Sequence, residues 1–259
     1  MPEPSEHAAP ARPIRDPDDF AAAFGVGRAT LDRLALYERL LRQWQTRVNL
    51  VAPSTLGDVW HRHFADSAQL LPLVPGARTW VDLGSGAGFP GLVIAILMAD
   101  RPAAAAPSPR LPGERRGEGQ PQPPAAQAEA GRRPRVVLID SNARKCAFLR
   151  EVVRQTGIAA GVAVDILSTR IEAAATQASL RGADAVSARA LAPLGRLLNL
   201  AAPLSSAATV GVFLKGRDAA REVAAARTDW SFDAELIPSR TEPQARIVLV
   251  RHLRPRDAS

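Results

Sequence analysis

The chain has 259 residues, with 33 basic and 26 acidic side chains and a formal charge of +7. Apolar residues make up 46%, enough for a packed core, which excludes a wholly disordered chain. The longest strictly apolar run covers 92–99, far short of the roughly 20 residues of a membrane-spanning helix, and the single Cys146 excludes an internal disulfide and a multi-cysteine zinc site.

Residues 1–16 read as a flexible tail without the apolar stretch of a secretory signal, so a cytoplasmic protein is expected. Leu31, Leu34, Tyr37, Leu41, Trp44 and Val48 then recur at spacings of three and four, the mark of one helical face. A second helix is expected over 56–71, with Val59, His63, Asp66 and Leu70 aligned. These helices precede any strand signal, so 17–76 reads as an N-terminal helical cap on a single domain spanning 17–259.

From Thr79 strands and helices alternate. Strands are expected at Thr79–Leu83, Arg135–Asp140, 161–166, 183–187, 209–214, 232–238 and 246–252. Helices are expected at Gly91–Ala99, Ala143–Thr156, up to Leu200 and over 219–227. This alternation predicts an α/β fold with a seven-stranded, mostly parallel sheet. The last two strands leave no room for a helix between them and predict an antiparallel hairpin at the C-terminal edge. Residues 100–135 interrupt the pattern with eight Pro, eight Ala, seven Arg and four Gly, and read as a disordered insertion. Cys146, beside Phe148 and Leu149 on its helix, reads as a packed thiol.

The densest local signal is the strand at Trp80 running into Gly84, Gly86, Gly88 and Gly91 before a helix. Glycines there let a backbone turn tightly and approach a ligand, and a helix start offers unpaired N–H groups. Gly86-x-Gly88-x-x-Gly91 matches a dinucleotide fingerprint, but Asp82 at the strand's end suits a cationic ligand better than a pyrophosphate. S-adenosylmethionine, with its sulfonium and ammonium, is therefore expected over NAD. Asp140 ends the next strand, 54 residues after Gly86 or 18 once the insertion is set aside, a spacing that suits a ribose contact. Arg189, at the carboxyl end of the fourth strand, is placed to fork onto a carboxylate or phosphate. Lys215, one of only two lysines, Arg62 and His63 are candidate RNA contacts.

Several ordered motifs carry a resemblance. They are Asn49-Leu50, 62–67 (Arg-His-Phe-Ala-Asp-Ser), 82–91 with its glycines, 138–145, 187–190 (Ser-Ala-Arg-Ala) and 214–216. Together they resemble the RsmG (GidB) family, over roughly 31–216 apart from the insertion. The resemblance implies a Rossmann-like methyltransferase fold and transfer of a methyl group from S-adenosylmethionine to N7 of a guanosine in the 530 loop of 16S rRNA. It implies cofactor contacts at Gly84, Phe89, Ile171, Glu172 and Arg189, beside those expected at Asp82, Gly86, Gly88 and Asp140. Arg189 is also the catalytic candidate, shaping with the Phe89 loop the pocket for the target base. No metal site is expected, and the partner is 16S rRNA or a small-subunit precursor, met by a monomer away from membranes. Two other readings predict different behaviour. An NAD-dependent oxidoreductase would bind a nicotinamide cofactor, and a non-catalytic RNA-binding module would bind RNA undiminished by Gly86→Asp.

Overall fold

The computed structural model describes residues 13–100 and 133–256. Its strands are β1 (Thr79–Leu83), β2 (Arg135–Asp140), β3 (Ala163–Ser168), β4 (Ala185–Arg189), β5 (Val210–Lys215), β6 (Trp230–Pro238) and β7 (Arg246–Pro255). They form one seven-stranded sheet in the order β3-β2-β1-β4-β5-β7-β6. β1 to β5 pair in parallel, while β7 runs antiparallel to β5 and β6 antiparallel to β7. The mostly parallel sheet and its antiparallel edge are as the alternation predicts. Strand order reverses between β1 and β4, the switch point where open α/β sheets bind ligands at their carboxyl ends.

The helices are α1 (Pro17–Phe24), α2 (Arg28–Gln45), α3 (Gly91–Ala99), α4 (Ala143–Thr156), α5 (Ile171–Ala174), α6 (Leu194–Ala201) and α7 (Ala219–Ala226). Side chains alternate across the sheet, so each face feeds a separate core. Trp80, Val136, Leu138 and Ala185 pack with α1 to α4 on one side. Val81, Leu83, Val137, Ile139 and Val186 pack with α6 and α7 on the other. α3 is apolar all round and buried along Gly91–Met98, because α2 and the neighbouring cap turns cover the side turned away from the sheet. Each such buried aliphatic side chain contributes about 1.5–3 kcal/mol.

Several boundaries differ from the sequence expectation. The tail's flexible reading does not reach residues 13–16: Ile14 is buried, its N–H donates to His61 Nδ1, and Asp16 caps α1. The rest of that tail and 101–132 of the insertion lie outside the described residues. The expected helix over 56–71 is a broken run: a 3-10 turn (Pro53–Asp58), a π-helical turn (Trp60–Ala65) and a single α turn (Asp66–Ala68). The π turn buries Trp60, His63, Phe64 and Ala65. β3 and β4 begin two residues later than expected. Gly161 lies against the end of α3, where a Cβ would stand 2.4 Å from the Ala99 carbonyl. Asp184 caps the β1 entry, accepting the Arg78 and Thr79 N–H groups at 2.8 and 2.7 Å. Among the described residues, no helix is long and apolar enough to cross a membrane.

Candidate active site

The loop leaving β1 is held from behind by two carboxylates. Asp82, wholly buried, accepts the Ser187 hydroxyl at 2.7 Å on one oxygen and the Gly91 N–H at 3.2 Å on the other. The indole N–H of Trp80 donates to Ser187 Oγ at 2.9 Å and completes the chain. Burial pushes the Asp82 carboxyl up to about 6, against the lowering hydrogen bonds from Ser187, Ser85 and Gly91. Asp140 reaches the loop from β2, accepting the Gly86 N–H and the Asn142 N–H, both at 2.8 Å. Tyr37, buried in α2, donates its hydroxyl to the Ala87 carbonyl. Burial drives that phenol well above its ordinary range, so it stays a donor.

In front of the loop opens a cavity lined by Gly84, Asp140, Thr169, Ile171, Glu172 and Leu191. Leu191 packs over Gly84 so closely that a Cβ there would stand 2.8 Å from its Cδ1. Each Asp140 oxygen has one N–H partner and keeps acceptor capacity for a hydroxyl pair. Glu172 sits at the rim, where its own backbone N–H and then Arg170 and Arg196 hold its carboxyl below the usual range.

A second cleft, of about 450 Å³, lies across the β4 terminus and is lined by Thr55, Arg62, His63, Asp66, Arg189 and Glu242 among others. Arg189 is clamped at its edge. It donates to His63 Nδ1 at 2.9 Å and to the Arg62 carbonyl at 3.1 Å, and pairs with Asp66 at 3.4 Å. Its guanidinium carbon lies 5.0 Å from the Phe89 ring centroid. Phe89 in turn stacks on Tyr37 and on His63, with centroids 5.4 and 4.8 Å apart. Burial, then Arg189 and Arg62, lower His63 to about 3, so its ring is neutral near pH 7. Nδ1 accepts from Arg189, which leaves the proton on Nε2 to donate to Thr55 Oγ1 at 2.8 Å.

The far wall of this cleft is the loop between β6 and β7. Thr241 donates its hydroxyl to Asp66 at 2.7 Å, the Arg240 N–H donates to Gln69 Oε1 at 2.8 Å, and Arg62 pairs with Glu242 at 2.9 Å. Between cavity and cleft stands Ala190, a non-glycine residue with φ +53. A left-handed alanine costs about 1–2 kcal/mol, and the Lys215 ammonium braces the segment that bears it by donating to the Ala192 carbonyl at 2.6 Å.

The family model described as rRNA small subunit methyltransferase G matches residues 30–103 and 117–248. The chain is 45% identical to the Parvibaculum lavamentivorans ribosomal RNA small subunit methyltransferase G over 93% of its own length and 91% of the relative's. It is 48% identical to the protein of that name from Rhodospirillum centenum, covering 92% of itself and 91% of the relative. The chain belongs to the rRNA small subunit methyltransferase G family. In fold it is similar to a methyltransferase from Geobacter sulfurreducens, with a TM-score of 0.50 at 14% identity over 93% of this chain and 98% of that one.

In this member of the family, four of the expected cofactor residues meet in one cavity: Gly84, Asp140, Ile171 and Glu172. Gly86 adjoins them through its bond to Asp140. Three others do not face it. The Asp82 carboxylate points into the protein, Gly88 is filled from behind by Tyr37 and Leu149, and Phe89 is 4% exposed within its aromatic stack. These three shape the loop instead of lining its open side. Arg189 lines the second cleft with Arg62 and His63, and is absent from the lining of the first. Lys215 also lines the second cleft, but only 8% of its side chain is exposed, and its ammonium is engaged by the Ala192 carbonyl and Glu222. Cys146 is buried and donates its thiol to the Asp140 carbonyl. Sequence reasoning missed the roles of Leu191, Thr241 and Glu242, none of which lay in a quoted motif, whereas Asp66 bonds a neighbouring loop as expected, through Thr241.

Proposed function

We propose that this chain transfers a methyl group from S-adenosylmethionine to N7 of a guanosine in the 530 loop of 16S rRNA. One observation carries the reading. A cavity with a ribose-type carboxylate and a cleft rich in polar side chains meet at the carboxyl ends of β1 and β4, in a chain with relatives named for small-subunit rRNA methylation.

The cofactor fits the residues present. Asp140 would take the ribose hydroxyls, the Gly84 backbone the amino-acid end and the Ile171–Glu172 turn the adenine. S-adenosylmethionine supplies an electrophilic methyl carbon when bound. Asp82 also bears on ligand choice, though not as a partner for positive charge. Its carboxylate holds the Gly91 N–H at the start of α3, the amide a dinucleotide pyrophosphate would need. The hydride-transfer alternative therefore loses one amide of its anion site.

Guanine N7 carries an in-plane lone pair and no proton, so attack needs no general base. The neutral His63, with both ring nitrogens engaged, agrees with that requirement. The protein's work is alignment, which contributes roughly 7–11 kcal/mol in favourable cases. Arg189, fixed by His63, Asp66 and Phe89, is positioned to orient the base or its phosphate at the boundary between cavity and cleft. The target base leaves its RNA stack to enter such a cleft. We further propose that the enzyme works as a cytoplasmic monomer. Among the described residues, the large hydrophobics that stand exposed are Leu191 and Leu236, too few for a subunit interface.

Labelled S-adenosylmethionine is incubated with small subunits from a strain lacking the endogenous activity, and the RNA is then cleaved chemically at 7-methylguanosine. Label and a single cut in the 530 loop are expected. Arg189→Lys keeps the charge but loses the planar fork and stack, and transfer is expected to fall at least about tenfold. Undiminished transfer by Arg189→Lys and Arg189→Ala defeats the role given to Arg189, and no label in the wild-type reaction defeats the function.

A further inference from the structure

We infer that Glu242 reads the Watson–Crick edge of the target guanine and so sets the base specificity of this site; the inference rests on the function proposed above. A guanine that presents N7 for methylation keeps its N1–H and 2-amino donors on a different edge. One carboxylate accepts from both at once, and it repels adenine, which offers a lone pair at N1 and no 2-amino group.

The cleft has two carboxylates, Asp66 and Glu242. Asp66 is engaged on both oxygens and only 17% exposed: one oxygen accepts from Thr241 at 2.7 Å and Gln69 at 3.0 Å, and the other faces Arg189 at 3.4 Å. Glu242 is half exposed, and among the described residues its one side-chain partner is Arg62, 2.9 Å from Oε2. Its Oε1 is open for a ligand. The loop that carries it is nonetheless well held. Thr241 and Arg240 bond to the cap through Asp66 and Gln69, the Glu242 carbonyl accepts the Ala245 N–H at 3.0 Å, and Arg246 donates to the Pro243 and Ala245 carbonyls, both at 2.7 Å. A carboxylate with spare acceptor capacity, on an anchored loop facing Arg189 across one cleft, matches the donor pattern of guanine.

The test uses small subunits reconstituted with 16S rRNA bearing guanosine or inosine at the methylated position. Inosine lacks only the 2-amino group and keeps N7. Wild-type enzyme is expected to favour guanosine about tenfold or more in kcat/KM, the value of one charge-assisted hydrogen bond. Glu242→Gln cannot accept from both donors, so its ratio is expected within about twofold of unity, with Glu242→Asp restoring part of the preference. A loop with a merely structural role would lower both rates and leave the ratio alone. Equal wild-type rates on the two substrates, or a wild-type ratio in Glu242→Gln, overturns the inference while guanosine is still labelled. A wild-type protein that labels neither substrate overturns the rRNA function and this inference with it.

Discussion

Ser187 lies directly opposite Asp82 in the β1–β4 pairing and donates its hydroxyl to that buried carboxylate at 2.7 Å. The pair sits at the switch point of the sheet, behind the ligand loop and not in it. It links β4, which carries Arg189, to the first amide of α3. The two strands that meet at the proposed reaction centre are thus tied together one layer below it.

The buried Asp82 and the neutral His63 give opposite contributions to stability over the same pH range. Asp82 has a folded value of about 6 against 3.8 in the free chain, so the folded state holds the proton more tightly. Its contribution is fullest below 3.8, falls as pH rises towards 6, and is level above. His63 has a folded value of about 3 against 6.5, so the unfolded chain takes up protons first. Its contribution is full above 6.5 and is lost as pH falls towards 3. Between pH 4 and 6 the two slopes oppose each other. Relative to wild type, Asp82→Asn is expected to gain stability as pH rises through that window, and His63→Gln to lose it. Urea titrations at pH 4, 5 and 6 read both. Parallel curves for the three proteins contradict the assignment.

Much of this was legible in the sequence, and its failures have physical causes. The sheet and its parallel order follow from apolar strands alternating with helices. Asp140 follows from its strand-end position and Gly84 from the glycine run, while Glu172 came only with the family resemblance; the three line one cavity. Asp82 was placed on the wrong side of its loop, although Trp80 and Asp82 share one strand face and a doubly covered sheet buries both faces. Lys215 sits at a strand end as expected, but charge alone does not tell that Glu222 and the Ala192 carbonyl surround it. α1 gave too short a stripe, Phe20 and Phe24 among alanines, to stand out. Thr241 and Glu242 meet Asp66 and Arg62 across some 175–180 residues, with no motif to announce them.

The glycines of the loop are not equivalent, which a matched pair of substitutions exposes. At Gly88, φ is +97 and a Cβ would stand 2.6 Å from Tyr37 Oη and 2.8 Å from Leu92 Cβ, both in the packed interior. Gly88→Ala is expected to cost about 3 kcal/mol through overpacking and backbone strain together. At Gly86, φ is +55 but the nearest neighbour of a Cβ is the Gly84 carbonyl at 3.8 Å. Gly86→Ala carries the left-handed penalty alone, about 1 kcal/mol. Thermal melts of the two proteins compare them directly. Equal losses would mean that Tyr37 and Leu92 yield to the added methyl group.

Arg62 and Lys215 make a second matched pair, because both were candidate RNA contacts and only Arg62 has a well-exposed side chain. Both line the cleft, but the Arg62 side chain is 44% exposed and that of Lys215 only 8%. A phosphate contact releases counterions, so losing one flattens the dependence of log affinity on log salt by about 1. Arg62→Ala is expected to show that change in RNA binding between about 50 and 200 mM salt. Lys215→Met is expected to leave the slope alone. Its effect falls on stability, by about 1–3 kcal/mol, because Glu222, with a side chain 25% exposed, loses its charged partner and keeps the Leu194 N–H at 2.6 Å. A salt slope that drops in Lys215→Met would place that ammonium on RNA and require the Ala190–Leu194 segment to open when RNA binds.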